Sequence, residues 1–200
     1  TVTARQVSFF KQFPVGTGDV VFLGDSLTSQ GRWGELFPGV PVRNRGISGD
    51  VTADVLARLE EITTASPSQI FLMIGTNDLG LGLSEEVLLG NVSAILEEIR
   101  RASPETELYL QTLLPRSEAY VEQIRSVNTS LAEMAARAGV TLVDVGGAMR
   151  SPTGTLRPEL TDDELHLSGP GYAIWGETLA AWVRTPARDK DGEAVMEEYR

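Results

Sequence analysis

Short apolar runs alternate along this chain with longer amphipathic stretches, and this alternation restricts the fold more than any other feature. The apolar runs are Asp19–Leu23, Val40–Asn44, Gln69–Ile74, Glu107–Thr112 and Val140–Val145. The amphipathic stretches are Ala53–Ile62, Ser84–Ala102, Glu118–Ala138 and Tyr172–Val183. Nearly continuous apolar character is typical of parallel strands that helices cover on both faces. The pattern predicts an α/β fold with one five-stranded parallel sheet between two layers of helices.

The domain organisation follows from length and from a change of composition near the end. A chain of 200 residues suits one domain with a substantial core. Ser84, followed by two glutamates, is a typical helix N-cap, and Gly139 is a typical helix stop. After Trp182 the sequence becomes charged and polar. We expect one domain over residues 1–185 and a charged extension over 186–200, which is disordered or packs as a helix against a partner.

The charge balance excludes several partners. Lys and Arg total 17 against 28 Asp and Glu, which gives a formal net charge of −11. A surface this acidic repels polyanions, so nucleic acid is not expected to bind. No apolar run approaches the roughly 18 residues that span a bilayer, and no signal segment is recognisable. The chain begins with Thr1, and removal of an initiator, a signal or a tag would explain this, so the sequence does not decide between a cytoplasmic and a secreted protein.

The chain has a single histidine, His166, and no cysteine. Zinc sites take most of their ligands from imidazole and thiolate groups, so a structural zinc site is not expected, and no other metal or cofactor is indicated. The absence of cysteine also excludes disulfides and thiolate chemistry. Any general base that works near neutral pH is therefore expected to be His166.

Polar residues follow three of the apolar runs directly. They form Gly24-Asp25-Ser26-Leu27, the stretch 45–50 (RGISGD) and Gly75-Thr76-Asn77-Asp78. In open parallel sheets, ligands bind beyond the carboxyl ends of the strands. Late in the chain, Asp163-Glu164-Leu165-His166 follows a loop. These four segments are the candidate site.

Their side chains match the requirements of acyl transfer. A serine hydroxyl is a weak nucleophile that needs an adjacent base, and the base needs an acid on its other ring nitrogen. Ser26, His166 and Asp163 can fill these roles, while Gly49 and Asn77 can donate N–H groups to an oxyanion. Taken singly, each has an ordinary alternative. Ser26 could be an N-cap, His166 an isolated imidazole, and Gly49 and Asn77 turn residues, while Asp162 and Glu164 compete with Asp163.

Together, the four segments resemble the four blocks of the GDSL, or SGNH, esterase-lipase family in their usual order. The resemblance spans residues 19–183. It implies that Ser26 is the nucleophile, that Asp163 and His166 complete the triad, and that Gly49 and Asn77 join the Ser26 amide in the oxyanion hole. It also implies a flavodoxin-like three-layer α/β/α sandwich, with residues 1–185 as the SGNH hydrolase domain.

Further residues resemble one group within the family, the catalytic subunits of platelet-activating factor acetylhydrolase and their bacterial relatives. They are Gly46-Ile47, Gly49-Asp50, Thr52, Leu113–Arg116, His166–Ser168 and Gly171-Tyr172. Ser48 stands where that group commonly has glycine, which bears on the shape of the loop and on substrate fit. Members of the group often form dimers, so a homodimer is an expectation of the likeness.

The resemblance implies a serine esterase that hydrolyses a small-molecule ester with a short acyl group, acetyl above all. Leu79, Leu81 and Leu83 either wall an acyl pocket or pack locally. Arg116 either meets the alcohol portion of the substrate or forms a structural ion pair. The alternatives are a carbohydrate O-acetylesterase, a lysophospholipase or thioesterase, and an acyltransferase, and from another class a non-catalytic flavodoxin-like binding module.

Overall fold

The computed structural model describes residues 2–184 and contains one parallel sheet. Its strands are β1 (Val20–Gly24), β2 (Val42–Gly46), β3 (Gln69–Met73), β4 (Glu107–Gln111) and β5 (Thr141–Val143). All neighbouring strands pair in parallel, in the order β2-β1-β3-β4-β5. This is the flavodoxin-like order. The predicted five-stranded parallel sheet is confirmed.

The helices of the described chain fill the connections between the strands. They are α1 (Val2–Gln12), α2 (Ser26–Ser29), α3 (Trp33–Leu36), α4 (Thr52–Ala57), α5 (Glu60–Thr63), α6 (Thr76–Gly80), α7 (Glu85–Ala102), α8 (Val121–Ala138) and α9 (Gly169–Leu179). Short 3₁₀ turns occur at Glu118–Tyr120, Gly147–Met149 and Pro158–Leu160. Within residues 2–184, no helix is both long and apolar enough to cross a membrane.

The two faces of the sheet form two separate cores, because successive side chains of a strand point to opposite faces. On one face, Val21 and Leu23 of β1 pack with buried residues of α4, α5, α7 and α8. On the other face, Val20 and Phe22 pack with residues of α3 and α9, and the Phe22 ring stacks on Trp33 with centroids 4.0 Å apart. The three-layer sandwich is therefore confirmed.

Strand β2 lies two residues later than the apolar run Val40–Asn44 indicated. The strand includes Arg43, Asn44 and Arg45, whose polarity hid it from an apolar pattern. Arg45 is 2% exposed yet satisfied, since it pairs with Glu61 at 2.9 Å and donates to the Phe13 carbonyl oxygen at 2.6 Å. Tertiary partners thus override the sequence pattern at this edge of the sheet.

Two of the four predicted helices are found as α7 and α8. The third is displaced, since α9 begins and ends a few residues earlier than the predicted Tyr172–Val183, and the fourth prediction is wrong. Ser84 caps α7 by accepting from the Val87 amide, and Gly139 ends α8 in the left-handed conformation. The stretch Ala53–Ile62, predicted as one helix, is instead the two short helices α4 and α5, and the first ends at Arg58. The Arg58 side chain turns back to the strand ends, as described below. The predicted extension over 186–200 lies outside the described residues, so the division at 185 stays a prediction.

Candidate active site

The candidate site lies where the chain changes direction across the sheet. From β1 the chain runs to β2 on one side and then to β3 on the other, so the carboxyl ends of these three strands are neighbours. Such a switch point leaves a crevice in which ligands of parallel sheets bind. Ser26 opens α2 after β1, Gly49 follows β2, and Asn77 lies in the first turn of α6 after β3.

The turn that carries Ser26 is tight and buried. A Cβ atom on Gly24 would lie 2.2 Å from the Met73 carbonyl oxygen, so only glycine fits where β1 ends beside β3. Asp25 caps α2, because its Oδ1 accepts from the Leu27 amide at 2.9 Å. These contacts fix the direction in which Ser26 leaves the strand, and the residue is 7% exposed.

The structure brings Ser26, His166 and Asp163 into one hydrogen-bonded chain. Ser26 Oγ lies 3.1 Å from His166 Nε2, and His166 Nδ1 lies 2.6 Å from Asp163 Oδ2. An ionised carboxylate only accepts, so Nδ1 carries the proton and Nε2 is free to accept from the Ser26 hydroxyl. Proton transfer from the hydroxyl to the imidazole is therefore geometrically prepared.

A short loop prearranges the acid and the base. An antiparallel bridge between Thr161 and Leu167 closes it. Asp163 Oδ1 accepts from the Leu165 amide at 3.0 Å and from the His166 amide at 2.7 Å, while Oδ2 is left for the ring. The pKa of Asp163 falls to about 2, chiefly because of the hydrogen bond with His166. Asp163, and not its acidic neighbours, is thus the ionised partner of the histidine.

Three N–H groups are available near Ser26. In the described chain, no acceptor binds the amides of Ser26 and Gly49 or the second N–H of the Asn77 side chain. The first Asn77 N–H donates to the Asp50 carbonyl oxygen at 2.9 Å, which fixes the orientation of the amide. Gly49 has a φ of +88°, and a Cβ there would meet no protein atom within 4 Å. Glycine is favoured at this position by backbone conformation, and not by crowding within the protein.

Three buried carboxylates support the strand ends, and the sequence analysis gave them no role. They are Asp25, Asp50 and Asp78. Asp25 directly precedes Ser26, while the other two directly follow Gly49 and Asn77. Asp50 pairs with Arg58 at 2.8 Å, and Arg58 also donates to the Gly24 and Arg45 carbonyl oxygens. Their repeated position beside Ser26, Gly49 and Asn77 was the signal that could have found them.

Asp25 is the least satisfied of these carboxylates. It is fully buried, and its Oδ2 has no hydrogen-bond partner among the described residues. Burial raises its pKa to about 7, and the hydrogen bond from Leu27 lowers it by less. An acid that titrates near neutral pH therefore lies one residue before Ser26.

Two predictions about substrate contacts have mixed outcomes. Arg116 makes no ion pair with the described residues. It donates to the Thr76 carbonyl oxygen at 3.0 Å, and its guanidinium lies 3.8 Å from the centroid of the Tyr120 ring. Leu79 is buried in the core, whereas Leu81 is 71% exposed. The structural ion pair is therefore not found among the described residues, whereas the contact of Arg116 with the alcohol portion and the acyl wall both stay predictions.

Comparison with known proteins shows the family of the chain. Residues 22–174 match the GDSL-like lipase/acylhydrolase family. The human platelet-activating factor acetylhydrolase IB subunit alpha2 is 35% identical over 170 residues, which cover 78% of this chain and 71% of that protein. The fold and these likenesses define a carboxylic ester hydrolase. The chain belongs to the GDSL-like lipase/acylhydrolase family.

Solved structures share the architecture over most of their length. A Streptococcus pneumonia protein, provisionally described as a platelet activating factor, superposes with a TM-score of 0.81 at 29% identity, covering 90% of this chain and 92% of that one. An acetylxylan esterase from Geobacillus stearothermophilus superposes with a TM-score of 0.68, covering 86% of this chain and 99% of the other. At 21% identity, the second likeness shows the fold alone.

Proposed function

We propose that this chain is a serine esterase that hydrolyses short-chain acyl esters, with acetyl as the preferred acyl group. The observation that carries the proposal is the unbroken hydrogen-bonded path from Ser26 Oγ through the His166 ring to Asp163. His166 is the only imidazole of the chain, so no other side chain of this type can serve as the base.

In the acylation half of the proposed reaction, Ser26 Oγ attacks the ester carbonyl carbon while His166 Nε2 takes the hydroxyl proton. The negative charge on the carbonyl oxygen is stabilised by the amides of Ser26 and Gly49 and by the Asn77 side chain. The tetrahedral intermediate then collapses. The bond to the alcohol oxygen breaks, His166 gives its proton to that oxygen, and an acyl-Ser26 ester remains.

In the deacylation half, water replaces the departed alcohol. His166 takes a proton from the water as its oxygen attacks the acyl carbon, and the same three donors bind the oxyanion. Collapse releases the carboxylic acid and returns the proton to Ser26 Oγ. Asp163 stays ionised throughout, because its pKa of about 2 lies far below the working pH.

Two observations support a short acyl group. The human relative that is 35% identical over 170 residues is named as an acetylhydrolase. In the loop after Asn77, Leu81 is 71% exposed and Leu83 is 40% exposed, which supports a site that does not enclose a long acyl chain. Burying each further methylene would stabilise a longer acyl chain by about 0.8 kcal/mol, and these exposed side chains offer little such burial.

A panel of p-nitrophenyl esters from acetyl to decanoyl tests the acyl preference. We expect the highest kcat/KM with acetyl, and a maximum at octanoyl or decanoyl would contradict the proposal. An acetylated sugar and an acyl thioester, assayed beside the panel, test the carbohydrate O-acetylesterase and thioesterase alternatives. Adding a sugar alcohol and analysing the products separates hydrolysis from acyl transfer.

A second experiment tests the proposed nucleophile. We expect an organophosphate to label Ser26 in the wild type, and Ser26→Ala to abolish both labelling and hydrolysis while leaving the fold intact. His166→Ala should lose nearly as much activity, because no second histidine can replace it. A folded wild type that is neither labelled nor active would favour the binding module.

A further inference from the structure

The two loops that carry Gly49 and Asn77 have no direct backbone connection in the sheet. They follow β2 and β3, which lie on opposite sides of β1. Adjacent strands are about 4.8 Å apart, so the ends of β2 and β3 are separated by roughly twice that distance. Some other interaction must set the gap between the loops.

One such interaction is a buried pair of hydrogen bonds from Thr52 to the Asp78 carboxylate. Thr52 Oγ1 donates to Asp78 Oδ1 at 2.6 Å, and the Thr52 amide donates to Asp78 Oδ2 at 3.0 Å. Both residues are fully buried. Thr52 is three residues after Gly49, and Asp78 directly follows Asn77. We call this pair the Thr52–Asp78 clamp.

Two further hydrogen bonds extend the clamp. Asn91 of α7 donates from Nδ2 to Thr52 Oγ1 at 2.9 Å, which leaves the Thr52 proton for Asp78. Asn77 donates from Nδ2 to the Asp50 carbonyl oxygen at 2.9 Å. The second bond joins the loops through Asn77 itself, which directly precedes Asp78 of the clamp.

The clamp is a costly arrangement to keep for packing alone. Burial of a carboxylate is unfavourable unless charged hydrogen bonds compensate it, and a hydrophobic pair of similar volume would pack without that penalty. Burial raises the pKa of Asp78, and the hydrogen bonds from Thr52 oppose that rise. A carboxylate at this buried position accepts hydrogen bonds in fixed directions, which a hydrophobic pair would not provide.

We propose that Thr52 and Asp78 are positioning residues that set the separation between the Gly49 amide and the Asn77 side chain, so that both N–H groups reach one oxyanion. The inference rests on the proposed function, because it assigns the clamp to that reaction. Neither residue touches the substrate. Their effect passes through the two donors and should appear where negative charge develops, in the transition state.

The test compares Thr52→Val, which removes the hydroxyl at nearly constant shape, with Thr52→Ser, which keeps it. We expect Thr52→Val to lower kcat by at least about 10-fold, and by no more than the 10²–10³-fold typical of losing one oxyanion donor, with KM changed less than about twofold. Thr52→Ser should restore most of kcat. Asp78→Asn should resemble Thr52→Val, because its amide nitrogen would face a donor.

Thr63→Val is the matched control. Thr63 is also buried, and its hydroxyl donates to the Leu59 carbonyl oxygen of the same segment at 3.1 Å, away from the site. It makes the same chemical change without touching either loop. If Thr63→Val and Thr52→Val lower kcat equally at the same thermal stability, the effect is general destabilisation and the inference is wrong.

Two more measurements separate positioning from a structural role. In an Asn77→Ala background, Thr52→Val should lower kcat less than about twofold, because one of the two donors whose separation the clamp sets is already gone. In NMR spectra of the protein without ligand, the Asn77 side-chain amide should be protected from hydrogen exchange with water in the wild type and in Thr52→Ser. In Thr52→Val this protection should be lost. If the exchange protection of the Asn77 amide in Thr52→Val equals that in the wild type, the inference is wrong, whether or not the wild type is active. If the protection is lost in Thr52→Val but the wild type is inactive, only the proposed function is contradicted.

Discussion

Asp163→Asn tests how the loop at Asp163 orients the imidazole. The carboxylate now serves two sets of donors, with Oδ1 accepting from two backbone amides and Oδ2 from the ring. Asparagine has only one carbonyl oxygen. That oxygen should keep the two hydrogen bonds from the backbone amides, because together they are stronger than the one hydrogen bond from the ring. The side-chain NH2 should therefore turn toward His166 Nδ1, which forces the ring proton onto Nε2, where it blocks acceptance from Ser26.

The expected loss follows from this tautomer. In a serine protease, the same substitution lowers kcat about 10⁴-fold, or about 5.4 kcal/mol of transition-state stabilisation. Here the Asp163 side chain is 48% exposed, so water can partly replace it, and we expect a loss of about 10³–10⁴-fold. Thermal stability should change little, because Oδ1 keeps its two backbone bonds.

The assay is kcat for p-nitrophenyl acetate across the neutral range, with Asp162→Asn as the matched control. Asp162 is exposed and carries the same charge one residue away. In the folded protein, the pKa of Asp163 is lowered from 3.8 to about 2. The ionised carboxylate therefore stabilises the folded protein fully above pH 3.8, and this stabilisation is lost only as pH falls toward 2. Asp163→Asn with more than a tenth of wild-type kcat would refute the tautomer argument, as would an equal loss in Asp162→Asn.

Two further predictions concern the buried carboxylates. Burial raises the pKa of Asp25 from 3.8 to about 7, so the free energy of unfolding of the wild type falls as pH rises through that range. Asp25→Asn does not titrate at this position, so its free energy of unfolding in urea should rise by about 2–3 kcal/mol relative to that of the wild type between about pH 5 and pH 8. A difference that is constant over this range would contradict the prediction. Arg58→Ala leaves Asp50, whose side chain is 4% exposed, without its cation, and should cost about 3–5 kcal/mol. The control is Arg32→Ala, which breaks an exposed ion pair and should lower the free energy of unfolding by less than about 1 kcal/mol. If Arg32→Ala and Arg58→Ala lower it equally, the argument from burial is wrong.

Much of the architecture could be predicted because the apolar pattern reports burial directly. Strands β1 and β3 are buried on both faces, and their apolar runs located them to within about a residue. The polar segments after them pointed to Ser26 and Asn77, since parallel strands bring their carboxyl ends to one edge. The single histidine narrowed the choice of base without any structural information.

The rest could not be predicted because it depends on partners distant in the chain. Arg58 looked like an interior helical residue, yet its side chain binds carbonyl groups of two strands and the helix ends there. Thr52 and Asp78 are 26 positions apart, and nothing local in either segment specifies their contact. Strand β2 was misplaced because its arginines have partners distant in the chain: Arg45 binds Glu61 of α5 and the Phe13 carbonyl oxygen, and Arg43 binds Asp19.

The distribution of the site along the chain has a consequence for biosynthesis. Ser26 is made early, whereas the residue it contacts, His166, follows 140 positions later, on the same loop as its acid. On the proposed mechanism, a nascent chain on the ribosome holds a hydroxyl that cannot yet react. Because local hydrogen bonds orient the Asp163–His166 loop, docking of that loop beside Ser26 is the step that would complete the site.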